Sequence, residues 1–110
     1  MKVERHYEDF RIDDGNEKGG IISLSGSFLL DHENEIVNLI NHEGKIAAER
    51  NPDHKVSKIE KVDGGMVAQI SDHNLAMHIG KALVNAYKGE HEYKFSKGEK
   101  FVRVNWKRDN

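Results

Sequence analysis

Seven histidines and a row of three serines are the residues of this chain whose types could do chemistry. A zinc site needs three or four ligands that converge. His73 and His78 are five residues apart, so on a helix they diverge by about 140°. His42-Glu43 has no second histidine at the spacing of a zinc protease helix. His32, His54 and His91 fall in separate elements. The histidines therefore read as surface side chains, and neither a metal nor another cofactor is expected. Gly44-Lys45 and Gly80-Lys81 lack the earlier glycine of a phosphate loop. Ser23, Ser25 and Ser27 alternate with other residues, which places hydroxyls along a strand and not on a nucleophile elbow. The carboxylates fall on solvated faces, where nothing raises a pKa toward general acid or base work. No catalytic residue is assigned, and the chain is not read as an enzyme. It contains no cysteine, which excludes disulfides, thiolate catalysis, zinc ribbons and iron–sulfur ligation.

Basic residues offer a second kind of chemistry. The net charge is −2, so nothing pulls the whole chain toward nucleic acid or membrane. The two halves differ, however: residues 1–55 carry −5 and residues 56–110 carry +3. Alternation along the strands would place Lys58, Lys94, Phe101, Arg103 and Asn105 on one sheet face, with Ser23, Ser25, Ser27 and Gln69. Lys97, Lys100 and Lys107 would rim it, with Arg108. A basic, hydroxyl-rich sheet with one aromatic ring can hold RNA backbone and stack a base. These residues are the candidate RNA- or partner-binding set. The same face could instead take a protein partner or a second copy of the chain, anchored by Phe101 and Val67.

The elements that must position these residues follow from periodicity. Residues 1–19 are polar and acidic and read as a flexible arm, with Tyr7, Phe10 and Ile12 as its anchors. A strand runs over 20–28, with Ile22, Leu24, Gly26 and Phe28 inward; Gly26 there would let a helix approach closely. Asp31 is placed to cap a helix reaching about residue 50, with Glu33 and Glu35 favoured by the dipole in its first turn. Asn51-Pro52 ends that helix. A hairpin over 56–71 turns at Asp63-Gly64-Gly65. Ser71 or Asp72 caps a second helix with a stripe of Leu75, Ile79, Ala82, Leu83 and Ala86, and Gly89 closes it. A last hairpin pairs 91–96 with 101–106, leaving 107–110 as a tail. The order β-α-β-β-α-β-β predicts one α+β domain over 20–106. Its expected plan is ferredoxin-like, a split βαβ sandwich with two helices on one face of an antiparallel sheet and the other face open. No apolar run approaches the roughly 18 residues of a membrane helix, and the first residues do not form a signal peptide. No membrane partner and a cytoplasmic location are expected.

Several phrases together resemble a known group. They are Gly20-Ile21-Ile22-Ser23-Leu24-Ser25-Gly26, Glu35-Ile36-Val37-Asn38-Leu39-Ile40, Arg50-Asn51-Pro52, Asp72-His73-Asn74-Leu75-Ala76, Gly80-Lys81-Ala82-Leu83, and Tyr87-Lys88-Gly89-Glu90 leading to Lys100-Phe101-Val102-Arg103-Val104-Asn105-Trp106. In this order they resemble small bacterial proteins in which a cysteine zinc ribbon often precedes a domain similar to part of the ribosomal large-subunit export adaptor of the nonsense-mediated-decay-three family. The resemblance covers roughly residues 20–106. This chain departs from the pattern in having no ribbon. What the resemblance implies is a translation- or ribosome-associated binding role without catalytic residues.

Overall fold

A computed structural model describes residues 19–95 and 101–109. The elements run β1 (Gly19–Ser25), α1 (Ser27–Asp31), α2 (Glu33–Arg50), β2 (Val56–Val62), β3 (Gly65–Ile70), α3 (His73–Tyr87), β4 (Glu90–Phe95) and β5 (Phe101–Lys107). The five strands form one sheet in the order β2-β3-β1-β5-β4. β1 pairs antiparallel with β3 and parallel with β5, so the sheet is mixed and not antiparallel as the alternation suggested. β2 and β4 close the two ends, each antiparallel to its neighbour.

The first split βαβ unit is present: β1 and β2 run the same way with β3 between them. The second departs from the ferredoxin-like expectation. There the strand following the second helix would lie beside β1. Here β5 takes that place and β4 is displaced to the edge. Side-chain polarity explains the exchange. Phe101, Val102, Val104 and Trp106 of β5 are all buried, whereas β4 has only Tyr93 half-buried. The apolar strand gains by lying between two others, and the charged one is the safer edge.

All three helices contribute to the larger core on one sheet face. Ile36 and Ile40 of α2 and Leu75, Ala76, Ile79 and Leu83 of α3 meet Ile22, Leu24, Met66, Ala68, Ile70, Val102, Val104 and Trp106. α3 lies closest to the sheet, and its approach needs two glycines. A Cβ on Gly20 would stand 2.5 Å from the Ala76 Cβ, and one on Gly80 would stand 3.0 Å from Val104 Cγ1 and 3.1 Å from Tyr93 Cε1. The helix begins as expected at Asp72, whose Oδ2 accepts from the Leu75 N–H at 3.1 Å. It ends at Lys88, which is held at φ 62°. The Trp106 indole N–H donates to the Lys88 carbonyl at 2.6 Å. Gly44 serves close packing inside an unbroken α2, since a Cβ there would meet Val56 Cγ2 at 2.7 Å.

Three local expectations change. The first strand stops at Ser25, and a short helix takes Ser27–Asp31. Gly26 therefore does not face a helix; it turns the chain with φ +106°, where a side chain would strike the Arg108 backbone. Asp31 ends α1, and α2 starts after His32 with no side-chain cap. The expected tail is docked at Arg108 and Asp109. The Phe28 N–H donates to the Arg108 carbonyl, the Arg108 N–H to the Ser25 carbonyl, and the Ser27 N–H to Asp109 Oδ1. The Arg108 guanidinium sits 3.8 Å from the Phe28 ring centre and donates to the Tyr87 carbonyl. The predicted arm up to residue 18 and the 97–99 turn lie outside the described residues.

Candidate functional site

The sheet face away from the helices is built in rows set by the strand registers. One row holds Lys94 opposite Arg103, followed across β1 and β3 by Ile21 and Gln69, and ends at Lys58 of β2. The next holds Glu92, Asn105, Ser23, Val67 and Glu60. A third sets Glu90 opposite Lys107 and continues to Ser25 and Gly65. Lys58, Lys94, Arg103 and Lys107 thus share one face, but they divide between two places, and Arg108 leaves the expected rim because its guanidinium packs on Phe28. Lys94, Arg103 and Lys107 occupy the β4–β5 end. Lys58 stands at the opposite edge, four strands away and so roughly 19 Å from Lys94. Lys97 and Lys100 lie outside the described residues.

The middle of this face is not an open platform. Ile21, Val67 and Phe101 are buried and form a second cluster with Val62 packed against it. Phe101, at 1% exposure, cannot stack a base or anchor a partner without leaving that cluster, which corrects its expected role. Val67 is corrected in the same way, and Ser23 is buried with it. Period-two alternation reports which face a side chain points to and says nothing of what covers that face. The Arg103 guanidinium lies 5.6 Å from the Phe101 ring centre, within reach of a cation–π contact at the margin of the cluster. Ser27 has left the row altogether, because its segment is helical.

Acidic neighbours accompany the lysines. Lys94 lies 3.8 Å from Glu92, Lys58 lies 3.5 Å from Glu60 and Lys107 lies 3.9 Å from Asp109. All six side chains are largely exposed, so each pair contributes little to stability and exchanges readily with other ions.

Four of the histidines pair locally. His78 Nε2 on α3 is 2.7 Å from Glu43 Oε1 on α2, clipping the two helices together. His32 stacks on Phe28 with ring centres 3.9 Å apart, and His91 meets the Tyr93 ring edge-on at 5.7 Å. His54 Nε2 lies 3.3 Å from Asn51 Nδ2 and 3.5 Å from Asp72 Oδ1. Among the described residues, no three histidines or carboxylates come together as metal ligands would. Ser71, beside Asp72 and near His54, has its hydroxyl committed: Oγ accepts from the Lys55 N–H at 2.8 Å and donates to the Asp53 carbonyl at 2.6 Å. This knot ties the start of β2 to the cap of α3. Serine, aspartate and asparagine at two loop ends are its signals in the sequence.

One open trough, of about 430 Å³, runs between α2 and the edge strand β2. Val37, Asn41, Val56, Ile59, Lys61 and Met66 are among its lining residues. Sequence reasoning passed over it because a trough between elements belongs to neither element's periodicity. Of the ionisable side chains, Tyr93 is displaced: burial pushes its phenol above the ordinary 10.0. No helix among the described residues is long and apolar enough to cross a membrane. Compared with known proteins, the chain matches no family model, no curated protein and no solved structure.

Proposed function

We propose that the chain works by binding and not by turnover, and that the β4–β5 end of the outer face holds a polyanion, RNA free or within the ribosome. The observation that carries this reading is the register pair of Lys94 and Arg103, two cations directly opposite each other on one face. Lys107 extends the set four residues along β5, roughly 13 Å from Arg103. The weak, exposed pairing of Lys94 with Glu92 and Lys107 with Asp109 supports it further, because phosphates can replace those carboxylates at small cost. Asn105 between them adds a neutral donor and acceptor. The resemblance to the export-adaptor domain points to ribosomal RNA as the polyanion. With Phe101 buried, contact runs through phosphate and sugar and discriminates little between sequences. Anisotropy titrations of labelled structured RNA at low salt test the reading. Lys94→Glu with Arg103→Glu should abolish binding while leaving the melting temperature near that of the parent chain. Unchanged affinity in this double variant would refute the mapping.

A further inference from the structure

We propose that β2 is a self-pairing edge, at which two copies of this chain join antiparallel, β2 against β2, around a two-fold axis at Ile59. The proposal does not depend on polyanion binding. It starts from topology: β2 ends the sheet, and among the described residues it pairs only with β3. An edge of this kind is a template for another strand. The trough beside it gives side chains of an incoming strand somewhere to lie, on the walls formed by Val37, Asn41, Val56 and Met66.

Charge selects both the occupant and the register. A two-fold axis through an antiparallel pair sets residues symmetrically about one central residue, and residues that face each other share a face. Centring on Lys58 or Lys61 opposes two ammonium groups. Centring on Glu60 opposes two carboxylates. Directly opposed like charges destabilise a pairing. Centring on Ile59 opposes Lys58 with Glu60 of the second copy, twice, on the outer face. Each Lys58 is already 3.5 Å from Glu60 of its own chain, so the four charges would alternate around a square. On the inner face Ile59 meets Ile59 of the second copy at the mouth of the trough. Lys61 brings no repulsion there, since it stands opposite the uncharged Ser57 of the second copy. The register shift between Val56 and Lys58 sets where regular pairing begins. The other edge, β4, carries a similar alternation in Glu92 and Lys94. Its central Tyr93 is packed toward Gly80 of α3, however, and the trough runs along β2. A second copy fits because strand Lys58-Ile59-Glu60 is its own complement.

Sedimentation equilibrium of the full chain over a wide concentration range tests this. The expected result is a concentration-dependent doubling of mass that weakens as salt rises. Glu60→Lys and Lys58→Glu should each raise the dissociation constant about tenfold or more, by opposing like charges across the axis. An equimolar mixture of those two variants should associate again, because one edge is then wholly basic and the other wholly acidic. The exchange variant carrying both substitutions should self-associate like the parent. Glu90→Lys on the far edge should leave self-association unchanged. A parent chain that stays monomeric throughout leaves the trough to some other strand and overturns the proposal. So does a dimer that Glu60→Lys leaves intact, or single variants whose mixture remains monomeric although each melts like the parent.

Discussion

Phe101 and Tyr93 show how burial changes what a residue can be asked to do. Phe101 alternates with apolar residues and looks like an exposed platform in the sequence, yet it is buried beside Ile21 and Val67. Phe101→Ala is therefore expected to cost about 3–5 kcal/mol of stability. Urea unfolding measures this loss; a change below about 1 kcal/mol would return Phe101 to the surface. Tyr93 lies on the helix side of β4, and burial raises its pKa above 10.0. The folded chain thus holds the phenolic proton more tightly than the unfolded chain does. Its contribution is fully present below pH 10.0 and is lost as pH rises through the higher folded value. Melting temperatures taken through this alkaline range should fall more steeply for the parent than for Tyr93→Phe. Parallel curves would show that Tyr93 ionises as easily folded as unfolded.

The elements were legible where one signal sufficed. The Asp72 cap and the Asp63–Gly64 turn lie where their residue types placed them; of the expected α3 stripe Leu75, Ile79 and Leu83 are buried, but Ala86 is exposed and Ala76 and Gly80 are buried instead. Asp72→Ala should cost about 1 kcal/mol, read by urea midpoint, because it removes the acceptor for the Leu75 N–H. A loss of several kcal/mol would mean that its place beside His54 matters more than the cap. Two elements were not legible, for physical reasons. Ser27–Asp31 is too short to show a helical period, Phe28 continues the alternation of the strand before it, and its first N–H is satisfied by Asp109, 82 residues away. The place of β5 between β1 and β4 was decided by competition among strands for burial, which no single strand displays. The β2 trough is likewise a property of two elements, and so is the expected dimer of Ile59-centred strands.

At the scale of the whole molecule, composition located the basic excess correctly in the second half, but only the registers divide it. Lys94, Arg103 and Lys107 gather at one end of the face while Lys58 stands at the other, with a buried apolar cluster between. A single RNA strand crossing the whole sheet would have to pass over that cluster, whereas one held along the β4–β5 ribbon would not. Three cations on that ribbon fix the number of phosphates it can neutralise. The most direct measurement of the central claim is the RNA dissociation constant across a series of salt concentrations. Three phosphate contacts predict a log–log slope of about −2 to −3, and neutralising Lys94→Ala with Arg103→Ala, which removes two contacts without reversing charge, should reduce it to about −1. A slope near zero, or one that the double variant leaves unchanged, would contradict the account.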